Sequence, residues 1–118
     1  MRDFKKYDIW TLSHALTLKI YEETSRLPSS EKYGLVSQMQ RAAYSIPANI
    51  VEGCGRDSDK EFSRFLQMSL GSANELEYFL ILCCDLGLMD KIVSQTLQGE
   101  IKVIKRQIIS LSKRLKNE

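Results

Sequence analysis

Metal and redox chemistry have little to work with in this chain. It holds one histidine, His14, and three cysteines, Cys54, Cys83 and Cys84, an odd number with no Cys-x-x-Cys pair. A lone histidine with no cysteine at ligand spacing does not make a zinc site, so His14 reads as a surface or packing residue. The cysteines read as reduced, small apolar side chains. No apolar run approaches the roughly 18 residues of a membrane span, and Met1 to Lys6 lacks the apolar stretch of a secretory signal. The compartment expected on this reading is the cytoplasm. Glycine-rich phosphate loops, His-Glu-x-x-His and Gly-x-Ser-x-Gly are all missing, and no histidine is available to serve Ser45 or Cys54 as a base. Gly53-Cys54-Gly55 sets a cysteine between glycines but supplies nothing to make it a thiolate. Glu52, Glu75 and Glu77 lack the Glu-x-x-His pairs of a di-metal helix bundle. The expectation is therefore a non-enzyme with no catalytic residue, no cofactor and no metal.

Proline and glycine are also scarce, with two and six among 118 residues, and the 43% hydrophobic and 27% charged content is that of a globular protein. The length fits one domain, residues 1–118, with 1–7 as a short N-terminal arm pinned by Phe4 and Tyr7. A net charge of +2 argues for no particular partner. Its distribution is less even: Lys102, Lys105, Arg106, Lys113, Arg114 and Lys116 follow one another with no acidic residue between them. Basic side chains near a helix C-terminus are favoured by the helix dipole alone.

What is present is helical periodicity. The patterns predict an all-α, antiparallel up-down four-helix bundle with long helices over about 8–26, 30–54, 58–86 and 90–116. Asp8 is the expected cap of the first, with Ile9, Leu12, Leu16 and Ile20 as its apolar stripe; Trp10, Leu18 and Tyr21 lie off that stripe, so this helix touches something on more than one side. Ser30 is the expected cap of the second. Pro47 falls inside it, where proline removes a backbone donor and crowds the carbonyl of Ala43 at a cost of about 3 kcal/mol. A kink is expected there and not a break, because the side-chain pattern keeps its phase across Pro47. Gly53 or Gly55 ends this helix in a left-handed turn. Ser58 and Glu61 form a capping box for the third helix, whose apolar residues are Phe62, Leu66, Leu70, Ala73, Leu76 and Leu80 and whose terminator is Gly87. Gly71-Ser72-Ala73 suggests a close helix crossing midway along it. Asp90 caps the fourth, where Leu97, Ile101, Ile104, Ile108, Leu111 and Leu115 make a heptad seam. Val93, Val103 and Ile109 widen that seam beyond what one core needs, and self-association is the natural outlet.

The second helix also carries a polar stripe. Gln38, Arg41, Ser45, Asn49, Glu52 and Arg56 recur at three- and four-residue spacing beside the apolar Leu35, Met39, Ala42, Ile46 and Ile50. With Ser72 and Glu75 of the third helix, the stripe is expected to hydrogen-bond between the two helices, Arg41 or Arg56 pairing with Glu75 or Glu52 and Ser45, Asn49 and Ser72 bonding across the crossing. Such groups fix register more than they add stability.

The block Arg41-Ala42-Ala43-x-Ser45-Ile46-Pro47-x-Asn49-Ile50-x-Glu52-Gly53-x-Gly55-Arg56, followed by Glu61-Phe62, Phe65-Leu66 and Gly71-Ser72-x-x-Glu75-Leu76, resembles a bacterial four-helix-bundle family. That family includes the proteins encoded in intervening sequences of 23S ribosomal RNA genes. Lys32-Tyr33-Gly34-Leu35 and Gln38 extend the likeness over most of the chain, while Val51 and Gln40 depart from the usual alanine and basic residue. The resemblance implies a homopentameric ring, and kinship with accessory proteins of diversity-generating retroelements, which bind nucleic acid and a reverse transcriptase through basic surfaces.

Two readings of function follow. One is a self-associating assembly or scaffold protein whose main partner is itself. The other is an accessory protein that contacts RNA or DNA phosphates through Arg56, Lys60 and Arg64 near one end and through Lys102, Lys105, Arg106, Lys113 and Arg114 along the fourth helix, where a ring would sum the charges of its subunits.

Overall fold

The computed structural model describes residues 2–116. Four helices, α1 (Asp8–Thr24), α2 (Ser37–Cys54), α3 (Asp59–Asp85) and α4 (Lys91–Lys116), account for most of them, and no strand occurs among the described residues. Each helix packs chiefly on its neighbour in sequence, while α1 and α4 close the bundle with sparser contact, giving a rod of 46 × 22 × 19 Å. The apolar phases decide the inward faces. Met39, Ala42, Ala43, Ile46, Ile50 and Cys54 of α2 meet Phe62, Leu66, Ala73, Leu76 and Leu80 of α3, and Leu97, Ile101, Ile104, Ile108 and Leu111 of α4 complete the core. The arm is held by Phe4 edge-on to Trp10 at 5.1 Å and by Tyr7 edge-on to Phe62 at 5.7 Å.

Helix boundaries follow local hydrogen bonding. The Ser58 hydroxyl accepts the Glu61 N–H at 3.1 Å, and Asp90 Oδ2 accepts those of Ile92 and Val93 at 3.0 and 3.3 Å. α3 ends in a Schellman closure: the Leu88 N–H donates to Cys83 O at 2.9 Å and that of Gly87 to Cys84 O at 3.0 Å, with Gly87 at φ +73°. Three expected boundaries are corrected. Asp8 lies inside the first turn of α1, because a 3₁₀ turn over Phe4–Lys6 brings the chain in one residue early and the Tyr7 carbonyl takes the Trp10 and Thr11 N–H groups. Ser30 caps nothing: the Glu31 N–H goes to Pro28 O at 2.9 Å, and a 3₁₀ turn over Ser29–Glu31 and a π-helical turn over Lys32–Val36 lead into α2. Gly55 stays right-handed at φ −83°. Gly53 is the glycine that packing demands, since a Cβ there would stand 2.9 Å from both Phe62 and Phe65.

α2 runs unbroken through Pro47, which poses a hydrogen-bonding problem, because Pro47 has no N–H to give the buried Ala43 carbonyl. A neighbour supplies one. Thr17 Oγ1 of α1 lies 3.2 Å from Ala43 O and 2.8 Å from Ser13 O in its own helix, so its single proton is shared between the vacant acceptor and a local one. Two further buried hydroxyls reach across in the same manner. Ser69 of α3 donates to Ile46 O of α2 at 2.9 Å, and Ser94 of α4 donates to Leu80 O of α3 at 2.8 Å. These contacts explain why α1 presents Ser13 and Thr17 to the core while Leu12, expected in the stripe, is 38% exposed. A close approach of α1 to α2 needs small hydroxyl side chains on the contact line, and this rotates Leu12 to its edge.

Thr17→Val keeps the shape and deletes the donor, so denaturant unfolding is expected to show a loss of about 1–3 kcal/mol. Combined with Pro47→Ala, which returns a backbone N–H to Ala43, the same change should cost less by about 1 kcal/mol. Strict additivity in that double-mutant cycle would contradict the assignment.

Candidate functional site

Because α2 and α3 run antiparallel with Ser45 opposite Ser72, the polar stripe of α2 and the small residues of α3 border one open groove. Arg41, Ser45 and Asn49 line one wall, and Met68, Gly71, Ser72 and Glu75 the other, around about 360 Å³. The structure thus brings five of the eight stripe residues close to one another but does not join them across the crossing. Asn49 donates to Ser45 O of its own helix at 2.8 Å, Arg56 pairs with Glu52 one turn away at 2.6 Å, and Gln38 is exposed. Arg41 and Glu75 have no hydrogen-bonding or ion-pair partner among the described residues. The expected bonds by Ser45, Asn49 and Ser72 are replaced by that of Ser69, because the α2–α3 contact line passes through Ile46 and Gly53 and leaves the stripe on the rim. Nor does Gly71 sit at a crossing within the chain; nothing lies within 4 Å of a Cβ built on it.

The alternation of helix direction gathers a second set of residues at one end of the rod: the N-terminal arm, the α2–α3 turn and the last turns of α4. Arg2 holds the turn by donating to Arg56 O at 2.9 Å, pairing with Asp59, and lying over the Phe62 ring at 4.5 Å. Arg56 and Arg64 each lie over Phe65, at 4.8 and 4.6 Å, and Arg64 is also held by Glu61 at 3.1 Å, which draws the Glu61 carboxyl below its ordinary range. Arg114 borders a shallow groove with Lys6, Tyr7 and Asp8. Arg56, Lys60, Arg64, Lys113 and Arg114 therefore share an end. Lys102, Lys105 and Arg106 lie farther up α4, and Lys105 is engaged with Glu77 of α3 at 2.8 Å in a mostly buried pair. The eight basic candidates form two groups, not one patch.

The hydroxyls at Ser13, Thr17, Thr24, Ser69 and Ser94 were passed over by the sequence reading although each falls in the phase of a buried face. That placement was their signal. A second network, Gln40 to the Thr24 hydroxyl at 3.1 Å, ties α2 to α1 near the other end.

Cys54 and Cys83 are buried, and burial pushes both thiols above the ordinary value of 9.0. That is the reverse of what a nucleophile needs. Cys83 rests 3.4 Å from the Met39 sulfur, and His14 stacks flat on Trp10 at 5.1 Å.

A family model described as 23S rRNA-intervening sequence protein matches residues 5–110. The chain belongs to that family. A comparison with curated proteins finds no match. Among solved structures, the intervening-sequence chain is similar to a protein of unknown function from the S23 ribosomal protein family of Bacteroides thetaiotaomicron VPI-5482. The TM-score is 0.83 at 25% identity, over 89% of this chain and 95% of that one.

Thiol labelling tests the cysteine assignment. At pH 8 an alkylating reagent should modify half-buried Cys84 in the folded protein and reach Cys54 and Cys83 only on unfolding. The folded state holds those two protons more tightly than the unfolded chain, so their contribution to stability is complete below the unfolded thiol pKa and is lost as pH rises through the folded values. Unfolding free energy should accordingly fall as pH climbs past about 9, and less steeply in Cys54→Ala.

Proposed function

We propose that this intervening-sequence protein is a cytoplasmic, non-enzymatic, self-associating helical bundle that serves as a homo-oligomeric assembly or scaffold. The observation that supports this reading most directly is that α1 is apolar on two sides. Ile9, Leu16 and Ile20 enter the core, while Leu18 and Tyr21 stand on the outside at 59% and 43% exposure with Ala15 beside them. A helix with two apolar faces has a second surface to bury. Val103 and Ile109 add to the exposed apolar area on α4. Five copies is the number the family resemblance implies. Light scattering on the eluting peak of a sizing column should give about five times the 13.6 kDa chain mass, and a single-chain mass at micromolar concentration would end this reading.

The end-on gathering of Lys60, Lys113 and Arg114 supports a second reading, an accessory protein that contacts RNA or DNA phosphates. Side-by-side copies pointing the same way would repeat this basic end around one face of the assembly. Contacts of this type release counterions, so anisotropy of a labelled single-stranded oligonucleotide should show affinity falling steeply between 50 and 200 mM salt and dropping further in Lys113→Glu/Arg114→Glu. Binding indifferent to both salt and these changes would exclude phosphate recognition.

A further inference from the structure

We infer that the groove between α2 and α3 receives the outer face of α1 from a second copy of the chain, with Leu18 of that copy seated at Gly71; the inference rests on the self-association proposed above. Gly71 lies in the middle of α3, where every residue but proline favours the helix more. Unlike Gly53, which Phe62 and Phe65 force to be glycine, Gly71 has open space where a Cβ would stand. With Ser45 and Ser72 beside it, it leaves a hole of small residues that no other described residue fills. One turn farther on, Arg41 and Glu75 border the same groove with opposite charges and no partner among the described residues. An anionic polymer or headgroup would satisfy Arg41 and be repelled by Glu75. A protein surface that offers both an acceptor and a donor answers both.

The outer face of α1 has that pattern at the matching spacing. Leu18 is a large apolar knob at 59% exposure, and one turn later Tyr21 and Glu22 stand side by side, both exposed. Leu18 fills the hole at Gly71, the Glu22 carboxylate meets Arg41, and the Tyr21 hydroxyl donates to Glu75. Within the visiting copy Glu22 is only loosely held, 3.4 Å from Arg26, which has its closer partner in Glu23 at 2.6 Å. This register requires the visiting α1 to run parallel to the host α3. In the up-down bundle α1 and α3 of one chain are themselves parallel, so the two copies stand the same way up. Groove and ridge are different surfaces of one protomer, so the contact is heterologous and repeats from copy to copy until it closes a ring.

The test compares mass by light scattering with thermal unfolding for the full chain and four variants. Gly71→Leu sets its Cβ in open space, so the variant should keep the helical spectrum and a cooperative unfolding transition while its mass falls to one chain. Arg41→Glu and Glu22→Arg should each weaken assembly at least tenfold in concentration, and the double variant, in which every copy carries both reversed charges, should recover it. A parent protein that is multimeric together with Gly71→Leu and Arg41→Glu variants of undiminished mass would overturn the groove assignment and leave self-association standing. A monomeric parent would overturn both. Variants of full mass that instead lose oligonucleotide binding would give the groove to nucleic acid and overturn the inference.

Discussion

The structure depends on a carbonyl without its own donor. Pro47 lies in the buried stretch of α2 and has no N–H for Ala43, and an unpaired buried carbonyl costs free energy on the order of a lost hydrogen bond. Thr17 covers it from α1. That one contact requires α1 to lie close to α2, at a height set to within a fraction of a helical turn. Ser69 on Ile46 and Ser94 on Leu80 then repeat the arrangement for α3 on α2 and α4 on α3. Apolar seams alone tolerate sliding, because one leucine substitutes for the next. A hydroxyl matched to one carbonyl does not: a slip of one turn would leave the Ala43 carbonyl, which has no helical donor, buried and unpaired, and would break the Ser69 and Ser94 contacts.

Most of the architecture was legible because helical phase and capping chemistry are local. Ser58, Asp90 and Gly87 do what their residue types dictate within a few bonds, and the apolar stripes expected on α3 and α4 fall on the core, with Leu70 and Leu115 at its edge. What failed to read through was non-local. Asp8 is a good cap in isolation, yet the 3₁₀ turn before it gave the cap position to Tyr7. Leu12 fits a stripe by spacing, yet the approach of α1 to α2 is governed by Ser13 and Thr17. The polar stripe was correctly phased and incorrectly located: periodicity shows that Arg41, Ser45 and Asn49 share a face, but not whether that face lies on the contact line or on its rim. Gly71 was read as a crossing within the chain because sequence spacing does not distinguish a partner helix in the same molecule from one in another.

The same distinction shapes the candidate site. Side chains that carry the family resemblance divide into two sets. Ala42, Ala43, Ile46, Pro47, Ile50, Gly53, Phe62 and Leu66 are buried and make the bundle. Arg41, Asn49, Gly71, Ser72 and Glu75 border the groove and lie outside the buried core. Burial pushes the Cys54 and Cys83 thiols up, and the grooves described above lie open along the side and at the end of the bundle.

Core and surface are connected through two adjacent residues. Thr17 points inward to the vacancy that Pro47 leaves, and Leu18 therefore points outward, at a height on the rod that the Thr17 contact sets. The groove that receives Leu18 in the proposed contact between copies is bordered by Ser45, two residues from Ala43 and from Pro47, so knob and hole are both referred to the same turn of α2. Were α1 to slide by one turn, Leu18 would miss the hole by about 5.4 Å, and the error would recur at every contact around a closed ring. A proline placed where it costs a hydrogen bond thus does more than remove a donor from its own helix. By making one height of α1 better than its neighbours, it fixes the distance between ridge and groove within the chain, which the proposed ring would need in order to close.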